Sequence, residues 1–106
     1  MVNIVSDASF KSDVLDCTTL VIGDLWAPWC GLCRAVAPIF EEAARNITSV
    51  KLCKINVDEN QEVPSSFGIM SIPTFIAFKG GKTVDTKVGG MSKDILENWI
   101  KTLTAN

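Results

Sequence analysis

Leu20-Val21-Ile22-Gly23-Asp24-Leu25-Trp26, then Ala27-Pro28, then Trp29-Cys30-Gly31-Leu32-Cys33: the reading of this chain turns on that stretch. Its first seven residues form a nearly continuous apolar run of strand length, interrupted by Asp24, which is the pattern of a central parallel strand covered on both faces. Downstream, Leu32, Val36, Ile39, Phe40, Ala43, Ala44 and Ile47 recur at steps of three and four residues. That spacing predicts an amphipathic helix over 30–46, kinked at Pro38, whose ring and missing N–H disturb the preceding turn. A C-x-x-C pair therefore falls where a buried strand gives way to a helix. Two thiols so spaced can close a small disulfide ring, and a helix that begins at the first thiol stabilises its thiolate through the positive end of the macrodipole. By spacing alone the pair could equally hold zinc or be inert core.

Outward from this stretch, 2–5 reads as a short strand and 9–15 as a short helix with Phe10, Val14 and Leu15 on one face. A second β-rich run, 50–57, follows the central helix, so strand, helix and strand imply a right-handed parallel crossover. Beyond the polar Asp58-Glu59-Asn60-Gln61 comes a short helix over 62–67. After Pro73, 74–79 is a strand, Gly80-Gly81 a tight turn and 82–88 the returning strand of a hairpin. Ser92 can cap a last helix with Asp94 in its first turn and Ile95, Leu96, Trp99, Ile100 and Leu103 at helical period. Phe10, Phe40, Phe67, Phe75, Phe78 and Trp99 are expected in the core, and Trp26 beneath the cysteine loop.

Composition narrows the function further. A formal net charge of −2, with charges interspersed along the chain, gives no basic field for phosphates, so nucleic acid is not an expected partner. No apolar stretch approaches the roughly 20 residues needed to span a bilayer, and the first residues lack a basic segment leading into an apolar run. No membrane association is expected, and cytoplasmic residence is the default reading. The four cysteines could form a disulfide framework, but 106 residues with this aliphatic content build a core without staples. One redox-active pair in a reducing compartment fits better. The chain has no His and no Tyr, which removes Cys-His catalysis and His-ligated metals and leaves carboxylates, lysines and thiols to carry protons.

Two further residues carry chemistry. Asp24, set among Leu20, Val21, Ile22, Leu25 and Trp26, is expected to be desolvated, with its pKa pushed up to where it can handle protons near neutrality. The plainer reading is a structural Asp–Lys pair. Pro73 could simply begin a strand. Between the thiols, Cys30 is the natural nucleophile, at the helix N-terminus and partly exposed, while Cys33 lies one turn inside.

The element order βαβαβαββα, with C-x-x-C at the start of the second helix, resembles the thioredoxin family. The resemblance rests on Asp24, on 26–33, on Ala37-Pro38, on Lys54-Ile55-Asn56-Val57-Asp58, on 68–74 and on Thr86-Lys87-Val88-Gly89-Gly90, in that order along nearly the whole chain. It implies an α/β thioredoxin fold, a central mixed five-stranded sheet flanked by four helices, in one domain over 1–106. It implies a protein disulfide reductase active in electron transport and cell redox homeostasis, with a Cys30–Cys33 redox disulfide, Cys30 attacking and Cys33 resolving. Asp24 would lie behind Cys33 and transfer its proton, with Lys54 reaching the same region and pairing with Asp24. Pro73 would be cis, and Ile72 would offer backbone hydrogen bonds to an extended substrate segment. Trp29, Gly31, Leu32, Ile72, Pro73, Val88, Gly89 and Gly90 would form the docking surface. The implied partners are protein disulfides and a thioredoxin reductase, and the implied state is a monomer with no cofactor and no metal.

One position departs from the family's common motif: Leu32 stands where Pro is usual. Pro early in a helix fixes φ and limits the freedom of the reduced loop, so its loss is expected to make the couple less reducing. A thiol oxidase or isomerase, or a specialised redox partner, is therefore the alternative function. A zinc or iron–sulfur module would have to recruit Cys17 and Cys53, which flank the motif at unhelpful spacing. A non-catalytic interaction subunit is a third reading. Cys53 is expected to be a buried small hydrophobe, and Cys17 an exposed thiol open to a disulfide between monomers.

Overall fold

A computed structural model describes residues 2–105. The apolar run becomes β2 (Val21–Trp26), joined by β1 (Val2–Ile4), β3 (Lys51–Asn56), β4 (Thr74–Lys79) and β5 (Lys82–Val88) in one five-stranded sheet of order β1-β3-β2-β4-β5. β1 and β2 run parallel to β3, while β4 pairs antiparallel with β2 and with β5. The sheet is mixed, as expected. The helices are α1 (Gly31–Asn46), α2 (Glu62–Ser66) and α3 (Lys93–Thr104). The fourth expected helix is a five-residue turn, Lys11–Leu15, closed by π-type spacing with Asp16 N–H donating to Lys11 O at 2.8 Å.

Side chains alternate across each strand, so one sheet buries two cores. Ile22, Leu52, Phe75 and Ala77 join Phe40 of α1 and Leu96 and Ile100 of α3 on one face. Val21, Leu25, Cys53, Ile55, Ile76 and Phe78 join Phe10, Val14 and Val63 on the other. Phe10, Phe67 and Phe78 meet edge to face with centroids 5.4–5.7 Å apart. Two residues from Ile22, Asp24 shares its face and so points under α1, and the β2–β3 register sets Lys54 directly beside it.

α1 is capped by Cys30, whose backbone is extended, so the helix begins one residue later than predicted. Pro38 lies within α1 without ending it. Ser92 caps α3 by accepting from Ile95 N–H at 3.2 Å. Ile95 itself is exposed, against expectation, because α3 covers the sheet with Leu96, Trp99 and Ile100. In the β4–β5 hairpin Gly81 holds φ at +80°, and a Cβ there would stand 2.9 Å from Leu15 O. Only glycine fits that contact without displacing backbone.

Candidate active site

The C-terminal ends of the parallel strands β2 and β3 deliver Trp26 and Asn56, and the segment after β2 turns into α1 through Ala27-Pro28-Trp29-Cys30. Cys30 N–H donates to Ala27 O and Arg34 N–H to Cys30 O, both at 3.1 Å. Held this way, Cys30 caps α1 with its sulfur: Cys33 N–H donates to Cys30 Sγ at 3.2 Å. A donor at a helix N-terminus aimed at sulfur is the arrangement that holds negative charge there. Cys30 Sγ also lies 3.9 Å from Ile72 O. Both cysteines are free thiols, so the structure shows the dithiol form.

The predicted partial exposure of Cys30 is corrected. Cys30 is 8% exposed and Cys33 2%, because Ala27, Trp26, Val57 and Ile72 pack around the pair. Burial pushes the Cys33 thiol well above the ordinary thiol value, and the bond to Cys30 and the nearby charge on Cys30 push the same way.

Behind Cys33 lies a cavity of about 60 Å³, lined by Asp24, Trp26, Cys33, Arg34, Ala37, Phe40, Glu41 and Lys54. It can hold water. Asp24 faces it, 3% exposed, with Oδ1 free of any hydrogen bond, and burial raises its pKa from 3.8 to about 7 against the opposing pull of Lys54. The expected Asp24–Lys54 pairing takes a different form. No ion pair joins them among the described residues; the Lys54 ammonium sits 4.9 Å from the centroid of the Trp26 ring. A cation over an indole face keeps its charge near Asp24 without neutralising it by contact.

The expected docking residues come together around Cys30. The Ile72–Pro73 bond is cis, and Gly89 N–H donates to Pro73 O at 2.8 Å, which ties the end of β5 to the Pro73 loop. Gly89 holds φ at +96°, and Gly90 faces Leu32, whose Cδ2 stands 3.8 Å from where a Gly90 Cβ would be. Trp29, Leu32 and Val88 are large apolar side chains left exposed, while Gly31 and Gly90 offer bare backbone between them. One shallow groove of about 270 Å³ runs between Trp29, Met70 and Ile72, and a second of about 190 Å³ between Leu32, Ile39 and Met91.

Three residues here escaped sequence reasoning. Asp58 accepts from Trp29 Nε1 at 3.2 Å. Its place just past a parallel strand's C-terminal end, where α/β proteins gather function, was the available signal. Met70 is 97% exposed on the groove rim, an apolar residue in a loop that periodicity does not reach. Arg34 Nη1 donates to Pro28 O at 2.8 Å. Cys17 and Cys53 lie with the core on the opposite face, so the four cysteines form no common ligand set, and no group of three or more metal-ligating side chains occurs among the described residues. No helix among the described residues is long and apolar enough to cross a membrane.

Comparison with known proteins agrees with this geometry. The family model described as Thioredoxin matches residues 1–102. A thioredoxin of Rickettsia prowazekii is 46% identical over 101 residues, covering 94% of this chain and 96% of its own. Thioredoxin 1 of Synechococcus elongatus is 50% identical over 95 residues, 89% of each chain, and a thioredoxin of Synechocystis sp. is 50% identical over 98 residues, 92% of each. With sheet order, C-x-x-C cap and sequence identity all in agreement, the chain belongs to the thioredoxin family.

Proposed function

We propose that the protein reduces disulfides of other proteins by dithiol–disulfide exchange, with Cys30 as nucleophile and Cys33 as resolving thiol. The observation that supports the assignment is the Cys33 N–H donated to Cys30 Sγ at 3.2 Å, a bond that strengthens when negative charge sits on that sulfur. In the first step the Cys30 thiolate attacks a target disulfide: a Cys30–target S–S bond forms, the target S–S bond breaks, and the departing sulfur leaves as thiolate. In the second, Cys33 loses its proton toward Asp24 through the shared cavity and attacks Cys30 Sγ. The second target thiol is released, and two electrons have passed to the target. A carboxylate near pKa 7 serves as base at neutral pH.

Ile72, Pro73, Val88, Gly89 and Gly90, with Trp29, Gly31 and Leu32, receive the target segment in this reading. Reopening of the Cys30–Cys33 disulfide falls to a thioredoxin reductase. The reading includes one domain over 1–106 acting as a monomer in the cytoplasm, without cofactor. The alternative direction of exchange, oxidation or isomerisation, uses the same residues and is decided by the potential that Leu32 sets.

The test is capture with Cys33→Ser. Removing the resolving thiol strands targets on Cys30 as mixed disulfides that dithiothreitol releases, whereas Cys30→Ser captures none. Capture by Cys30→Ser instead, or by neither variant while the wild type reduces insulin, refutes the assigned roles.

A further inference from the structure

We propose that Arg34 is a positioning residue that favours the dithiol form of the couple, by tying the loop ahead of Cys30 to the helix behind Cys33. The inference rests on Cys30 and Cys33 being that couple. Arg34 holds the C-x-x-C ring from both sides. Its backbone N–H donates to Cys30 O at 3.1 Å, and its guanidinium reaches back over the ring to Pro28 O at 2.8 Å. The same side chain lines the cavity that Asp24 and Cys33 share.

Closing the disulfide brings Cys30 Sγ to bonding distance of Cys33 Sγ, and a neutral disulfide sulfur is a poorer acceptor for the Cys33 N–H than a thiolate. With that bond weakened, less holds the segment carrying Cys30 against α1. A guanidinium anchored on Pro28 O holds that segment at its dithiol position.

The experiment equilibrates wild type, Arg34→Ala and Arg34→Lys with dithiothreitol redox buffers at neutral pH, at low and high salt. Reduction of the protein disulfide takes two electrons and two protons from the reagent, breaks the Cys30–Cys33 bond and closes the reagent's own disulfide ring. Loss of one net hydrogen bond from the dithiol form shifts the equilibrium of Arg34→Ala about fivefold toward the disulfide, which is about 20 mV lower in potential. Most of that shift persists at about 1 M salt, where charge is screened beyond roughly 3 Å. Arg34→Lys, with charge but no planar fork, falls between the two.

Arg34 is exposed, so the alanine variant folds, and thermal unfolding of both redox forms checks this. A merely structural contact lowers the stability of both forms equally and leaves the potential where it was; that result overturns the proposal. So does a shift that vanishes with salt and is fully restored by lysine, since charge alone then accounts for it. A wild type that forms no Cys30–Cys33 disulfide in these buffers would instead overturn the assignment of the couple.

Discussion

Replacing Asp24 by Asn probes the buried carboxyl through stability as well as rate. Asp24 is 3% exposed, and burial raises its pKa from 3.8 to about 7 while Lys54 pulls it down. In the unfolded chain it titrates near the ordinary carboxylate value. Between about pH 4 and 7 the folded state therefore holds one more proton than the unfolded state, so this group makes wild-type stability fall as pH rises through that window. Below the window both states are protonated and nothing is lost; above it the full penalty is present. The shift from 3.8 to about 7 is roughly 3 units, each worth about 1.4 kcal/mol, so ionising Asp24 in place costs about 4 kcal/mol. Asn cannot titrate, and its amide adds an offset that does not vary with pH. Urea unfolding of the dithiol protein, followed by tryptophan fluorescence across pH 4–9, measures the difference between Asp24→Asn and wild type. That difference should climb by about 4 kcal/mol between pH 4 and 8 and then level off. A difference that is flat with pH, or that grows toward low pH, refutes the raised carboxyl.

Leu32→Pro should lower the redox potential by an amount on the order of 30 mV, equivalent to about 1.4 kcal/mol, because proline restricts the reduced loop; a redox titration showing no shift or a rise excludes that account. Asp58→Ala frees the Trp29 indole and should lower kcat/KM with protein disulfides about fivefold, the equivalent of one net hydrogen bond, while the potential stays within a few millivolts of wild type. Among the thiols outside the pair, Cys17 should alkylate in the folded protein, since its bond to Thr19 lowers its pKa, and Cys53, pushed up to about 12 by burial, should not. Mass mapping after brief iodoacetamide treatment reads both, and a labelled Cys53 in folded protein would refute its place in the core.

Much of this site is legible in the sequence because its parts sit on regular elements. The buried run at 20–26 and the helical period beginning at Leu32 place the thiols at a strand-to-helix junction, and period-2 alternation places Asp24 on the α1 face once Ile22 is known to be core. Element ends moved by a residue or two, because caps and not hydrophobic pattern decide them: Cys30 became a cap, not the first helical residue. What escaped were contacts between elements. No local pattern says that Lys54 will lie over Trp26, that Asp58 will receive the Trp29 indole, or that Arg34 will reach back to Pro28. Each depends on the angle at which a loop leaves the sheet. Cys30 proved more buried than its place at a helix N-terminus implies, because Ile72 and Val57 close over it from distant parts of the chain.

The electrostatics of the thiol pair also bear on the order of events in the proposed cycle. Burial is the main cause that raises the Cys33 pKa, but Cys30 contributes through its hydrogen bond and its charge. While Cys30 carries the thiolate, Cys33 is therefore held protonated, and the protein presents one nucleophile rather than two. Attack on a target turns the Cys30 sulfur into half of a neutral disulfide. Its charge disappears, and with it that part of the opposition to ionising Cys33. The remaining opposition is burial and, when Asp24 is ionised, its charge; proton transfer across the shared cavity to that carboxylate removes the second, and its pKa of about 7 lets it both take and return the proton at neutral pH. Direct contact with the Lys54 ammonium would instead depress the carboxyl and weaken it as a base. Seating that ammonium on Trp26 keeps Asp24 near neutrality, so the position of Lys54 bears on the resolving step without Lys54 touching either thiol.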